Sequence, residues 1–136
     1  MEYKYLINSV NLIQNESGNI EKLINFSSKH FYGFKELYIS NIKKNHIKAW
    51  KKHIKMTCNL FVISGKIKFV IMNDHKNFTD FIISEDQNKF VTIFPNTIFG
   101  FKGLGSDNSK LLNFSNCLHE DHESIKMNKD EFNYSW

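Results

Sequence analysis

Short apolar runs, broken at close intervals by polar clusters, set the pattern of this chain. The clearest case is "CNLFVIS" (58–64) and "KIKFVIM" (66–72), separated by Gly65. In the second run Ile67, Phe69 and Ile71 alternate with Lys66, Lys68 and Val70. A period of two puts alternate side chains on opposite faces of a strand, and the glycine between the runs reads as a tight turn. The same reading predicts strands at "FKELYIS" (34–40), "FTDFIIS" (78–84), "FVTIF" (90–94) and "LLNFSN" (111–116). It predicts turns at "NESGN" (15–19), "NDHKN" (73–77) and "EDQNK" (85–89). "NIKKNHIKA" (41–49) and "GFKGLGSDNSK" (100–110) read as loops, and residues 118–136 as a polar tail. "NIEKLINFSSKHF" (19–31) partly fits a helical period through Ile20, Leu23, Ile24 and Phe31, but it is assigned to strand. Short strands with turn signals about every 8–12 residues predict an all-β sandwich or barrel.

Composition supports this picture and narrows it. With a single proline and six glycines, the chain relies on Asn, Asp and Ser for its turns. The 13 phenylalanines suit pleated, half-buried surfaces. A length of 136 residues fits one domain, 1–136, and at this size about two-thirds of the chain's surface can be buried without staples. Hydrophobic residues at 41% and charged residues at 24% exclude a disordered chain.

The formal charge is +4, and all 18 Lys+Arg positions are lysine. An anionic ligand would therefore be met by ammonium groups, backbone N–H or imidazole rather than by a bidentate guanidinium. A charge this small does not indicate nucleic-acid binding, and the aromatics form no RNA- or DNA-reading pattern. The two cysteines, Cys58 and Cys117, form no CxxC pair and read as reduced thiols of a cytoplasmic protein. No signal peptide and no membrane span are expected.

The order of motifs resembles a known family. "ESGNI" (16–20) is similar to an Asp-x-Arg-Gly turn, with Ser17 in the Arg position. "IKAWKKH" (47–53) resembles an Arg-Gly-x-His-x-His segment, with Lys48 for Arg, Ala49 for Gly, Lys51 for the first His and His53 for the second. "VISGKIKFVIMND" (62–74) resembles the Gly turn between two long strands. "IFPNTIFGFKGLG" (93–105) resembles a Pro-Pro-Gly-x-x-His-Gly-Phe segment, with Phe99 in the His position. "DEFNYSW" (130–136) resembles a closing Tyr-x-Trp segment. Together these resemble the cupin (jelly-roll) nucleotide-sugar epimerases and ketoisomerases, namely the dTDP-4-dehydrorhamnose 3,5-epimerases and the dTDP-4-keto-6-deoxyglucose 3,4-ketoisomerases.

The resemblance implies a small, mostly antiparallel jelly-roll barrel that forms a homodimer. It implies a metal-independent, cofactor-free isomerase of nucleotide-linked keto-deoxysugars in surface polysaccharide synthesis. The reaction removes a proton beside the sugar ketone. The alternative is a cupin that binds such a sugar without acting on it. Where cupins carry a His-x-His, Glu, Gly and later His metal pattern, this chain has Lys51, His53, Cys58, Gly65 and Phe99. One His and one Cys are too few ligands for a Zn or Fe site.

The candidate catalytic residues are therefore His53, Lys51 and Tyr38, and the candidate substrate-binding residues are Lys48, Trp50, Lys55, Phe99 and His119. Alternation puts Lys51 and His53 on one face and Lys52 on the other. His53 reads as a proton-transfer group or as a polar residue satisfied at the barrel mouth. Lys51 reads as a base of depressed pKa, an enolate holder or an anion contact. Tyr38 reads as a group facing the sugar or as a core aromatic. Trp50 reads as a stacking platform or as a cover for the barrel end. No tyrosine occurs in "LLNFSNCLHED" (111–121), where the epimerases place a tyrosine acid, and His119 is the nearby substitute. The acidic and histidine-rich stretch 119–123 reads as a solvated segment rather than a metal patch.

Overall fold

The computed structural model describes residues 3–136. Its strands are β1 (Tyr5–Ser9), β2 (Asn11–Ile13), β3 (Ile20–Lys22), β4 (Glu36–Ile42), β5 (Ile47–His53), β6 (Cys58–Ser64), β7 (Lys66–Met72), β8 (Phe78–Ser84), β9 (Lys89–Ile93), β10 (Ile98–Gly103), β11 (Ser109–Ser115) and β12 (Ser124–Lys126). They form two five-stranded sheets, ordered β1-β9-β6-β11-β4 and β12-β5-β10-β7-β8, with a small β2-β3 hairpin beside them. All strand pairs within the sheets are antiparallel. This is the all-β jelly roll expected from the sequence.

The β6–β7 hairpin is the one the alternating pattern predicts, residue for residue. Ile67, Phe69 and Ile71 turn inward and are fully buried. They meet Cys58, Leu60 and Val62 of β6 and Leu111 of β11 in one core between the two sheets. Gly65 has φ +87°, and a Cβ there would lie 2.3 Å from Ser109 Oγ. The left-handed turn and the close approach both require glycine.

Three segments depart from expectation. Residues 47–49, read as loop, begin strand β5, which pairs with β10 on one side and β12 on the other. Residues 98–103 are likewise strand, with only 104–108 left as loop. Residues 19–31 contain only the short β3, followed by turns, and are neither a helix nor a long strand. Lysine-rich alternation hid the start of β5: Lys48, Lys51 and His53 line an open polar cavity instead of packing into the core.

The outer face of the second sheet is covered by the chain's end. Trp50 is 1% exposed. Its ring packs on Phe78 at 5.3 Å, Phe132 at 5.8 Å and Trp136 at 5.2 Å between centroids. Its Nε1–H donates to the carbonyl of Lys129 at 3.1 Å, and Trp50 and Met127 exchange both backbone hydrogen bonds at 2.9 Å. Tyr134 donates to Asp80 at 2.7 Å and lies under the Lys68 ammonium. Burial of this indole predicts that Trp50→Ala lowers stability by about 3–5 kcal/mol. Urea denaturation followed by circular dichroism measures this, and a loss within error of zero would contradict the packing role.

Candidate active site

A cavity of about 720 Å³ opens between the sheets. Of the residues singled out in the sequence, Tyr38, Lys48, Trp50, Lys51, His53, Phe99 and His119 line it. The alternation that put Lys51 and His53 on one face is realised. Farther back along β5 it breaks. Phe99 pairs with Lys51 but Phe101 pairs with Lys48, so three steps on β5 match two on β10. This one-residue bulge brings Lys48 onto the cavity side as well. It fits because Gly100 lies opposite Ala49, where a Cβ would come within 2.6 Å of the alanine Cβ.

Two expected substrate contacts are corrected. Trp50 borders the cavity, but its ring is packed on Phe78, Phe132 and Trp136. Trp50 is 1% exposed, which leaves no free ring face for a ligand to stack on. Lys55 is exposed and lies outside the cavity, past the end of β5. Its contribution is its backbone N–H, which donates to Glu123.

Glu123 is the residue the sequence reading passed over as part of a solvated segment. It ends a single 3₁₀ turn, Asp121–Glu123, just before β12. The pairing of Ser124 with His53 sets it against the histidine. One carboxylate oxygen is hydrogen-bonded to His53 Nδ1. The other accepts the backbone N–H groups of Lys55 and Met56, each at 3.0 Å. Burial pushes the Glu123 carboxyl upward, but these amides and the imidazole outweigh it, and its pKa is lowered. Glu123 is thus a carboxylate that holds the proton of His53 on Nδ1. Nε2 is the remaining ring nitrogen, and the one hydrogen bond of the His53 side chain among the described residues is the bond at Nδ1. Burial lowers the His53 pKa, and Glu123 only partly opposes it. A neutral imidazole with its lone pair on Nε2 is a competent base at neutral pH.

The opposite wall carries a second polar pair. Asn113 of β11 is buried and donates from Nδ2 to the Tyr38 hydroxyl at 2.8 Å. The hydroxyl oxygen accepts this bond and its proton points at Met56 Sδ at 3.9 Å, a weak acceptor that a ligand oxygen can displace. Burial raises the Tyr38 pKa, so the phenol stays protonated. The His119 ring lies 5.0 Å from the Tyr38 ring. Asn113 was legible in principle: it shares the inward phase of Leu111 and Ser115, where an apolar residue would be expected. Cys58, at the cavity floor, has its thiol pushed up to about 12 by burial and is therefore no nucleophile at neutral pH.

Basic groups line the third side. Lys126 of β12 also faces the cavity and is the direct cross-strand partner of Lys51. Lys48 Nζ donates to Ser40 Oγ at 3.2 Å. Among the described residues no group of three or more His, Cys, Asp or Glu side chains is arranged to hold a metal ion.

No family model matches the chain, and no curated protein matches it. Solved structures do. A dTDP sugar isomerase from Desulfovibrio desulfuricans superposes with a TM-score of 0.86 at 23% identity, covering 97% of this chain and 90% of that one. A mutant of the 3,4-ketoisomerase QdtA from Thermoanaerobacterium thermosaccharolyticum, with one histidine replaced by asparagine and in complex with TDP-4-keto-6-deoxyglucose, gives 0.80 at 14% identity, covering 93% and 90%. The dTDP-4-dehydrorhamnose 3,5-epimerase from Bacillus anthracis, with TDP and pyrophosphate bound, gives 0.79 at 15%, covering 97% and 84%. The chain therefore has the fold of the cupin-type sugar isomerases.

Proposed function

We propose that the protein is an isomerase, an epimerase or ketoisomerase, of a nucleotide-linked keto-deoxysugar. The observation that carries this reading is the His53–Glu123 pair, which fixes a neutral imidazole at the wall of the cavity with Nε2 unengaged. Proton removal beside a ketone needs such a base, a group to stabilise the enolate oxygen and a proton donor. His53 is the base. The Tyr38 hydroxyl, held by Asn113, is the donor on the facing wall. Lys48 and Lys126 provide positive charge for the substrate's diphosphate, which in this arginine-free chain must be met by point charges. The shared fold with enzymes that bind TDP and TDP-sugars supports the same class of ligand here. A supply role for surface polysaccharide synthesis, in the cytoplasm where nucleotide sugars are made, follows from this reading.

The test is solvent exchange. The protein is incubated with TDP-4-keto-6-deoxyglucose in D₂O, and the protons on the carbons flanking the ketone are followed by NMR. Deuterium wash-in above the protein-free rate is expected. Binding without wash-in would replace the isomerase with a sugar-nucleotide-binding module.

A further inference from the structure

Lys51 has a setting that proton transfer alone does not use. It lines the cavity on the same strand face as His53, two residues away. On one side its cross-strand neighbour is Phe99, an apolar wall that is 4% exposed. On the other it is Lys126, a like charge directly opposite. Lys48 adds a third ammonium from across the bulge. Glu123 is the carboxylate facing this group, and it is already held by His53 and two backbone amides. The Cys58 thiol stays protonated. Among the described residues Lys51 forms no ion pair. Burial first, and then Lys126, lowers its pKa. A lysine desolvated against an apolar wall and beside another cation is the arrangement that frees an amine for attack on a carbonyl.

We propose that Lys51 forms a Schiff base with the ketone of the bound sugar, and that His53 then takes the proton from the adjacent carbon. This rests on the isomerase reading and sharpens it. The Nζ lone pair attacks the carbonyl carbon, and the carbonyl oxygen takes one proton from Nζ and one from solvent and leaves as water; hydrolysis later returns both. The resulting iminium acidifies the neighbouring C–H bond. His53 Nε2 accepts that proton, and the C–H electron pair moves into the ring as an enamine. Reprotonation of the same carbon from the opposite face, followed by hydrolysis, returns the ketone, the inverted centre and free Lys51. Ketone migration does not fit this route. Protonating the former carbonyl carbon would leave nitrogen bound to the sugar as an amine, which water does not cleave. A covalent Lys51 therefore selects epimerisation over ketoisomerisation.

The experiment combines trapping with exchange on the unmodified protein. TDP-4-keto-6-deoxyglucose is incubated with the protein in D₂O, and one portion is quenched with cyanoborohydride. Intact mass and peptide mapping should show a product heavier by the sugar nucleotide minus one oxygen atom, attached at Lys51. Lys51→Arg, which keeps the charge and cannot form an imine, should give none. Exchange without any adduct would overturn the Schiff base while leaving the isomerase standing. Neither exchange nor adduct would overturn both. An adduct confined to Lys48 or Lys126, or a product whose ketone has moved, would also overturn the assignment.

Discussion

His53→Asn should reduce solvent exchange on TDP-4-keto-6-deoxyglucose by about 10²- to 10⁴-fold, the usual contribution of a positioned general base. The asparagine amide keeps a donor for Glu123, so the carboxylate is not left buried without a partner. The fold and the affinity for TDP should therefore survive. Their survival is what makes the result interpretable: circular dichroism and calorimetric binding of TDP report the scaffold, and NMR wash-in reports the base. Exchange retained within a few-fold would remove His53 from the reaction.

The companion substitution, Glu123→Gln, should act through the tautomer. Glu123 accepts three N–H groups, two from the backbone on one oxygen and one from His53 on the other. A glutamine has one oxygen and one NH₂. The two amides of Lys55 and Met56 claim the oxygen, and the NH₂ is left against His53 Nδ1. That drives the imidazole proton to Nε2, so the nitrogen facing the cavity becomes a donor instead of a base. A rate loss of about 10²-fold or more follows. The pH profile supplies the sign. His53 works as the neutral form, so activity falls as pH drops through its pKa. Glu123 raises that pKa against burial. Without the carboxylate the pKa goes lower, and the acid limb of kcat/KM moves to lower pH while the plateau falls. A merely structural role would lower the plateau and leave the limb in place.

The sequence disclosed the fold wherever one strand face met the core. The β6–β7 hairpin and β8 were legible to the residue because apolar alternation records a dry side and a wet side. Strand β5 failed that reading because its inward face lines a polar cavity. Lysine there follows the strand period but not the hydrophobic code. His53, Lys51, Lys48, Tyr38, Phe99 and His119 were found together because each belongs to a motif or shares a phase with one. Glu123 and Lys126 were not found, since they reach the site only through the pairing of a three-residue strand more than 70 positions from β5. No local pattern records such a contact. Trp50 was an aromatic in the right segment on the wrong face. Alternation with Lys51 and His53 already put Trp50 on the face of Lys52; the bulge that only the partner strand reveals is what brings Lys48 to the cavity.

The way the tail closes over β5 also bears on how the site is lost. Strand β12 is a short outermost ladder, and the segment after it is held by the aromatic packing of Trp50, by the Trp50–Met127 and Trp50–Lys129 hydrogen bonds and by Tyr134 on Asp80. Amides in such a segment open and reclose far more often than those of the core strands, without the domain unfolding. An opening that reached back through β12 would draw off Lys126, and one that also broke the hold of the Lys55 and Met56 amides would take Glu123 with it. His53 is then hydrated and free to exchange tautomers, and Lys51 loses the neighbour that disfavours its charge. In that open state the jelly roll persists and the proposed site does not. Hydrogen-exchange protection of Trp50 and Met127, not the melting temperature, is therefore the quantity that tracks how long that site stays assembled.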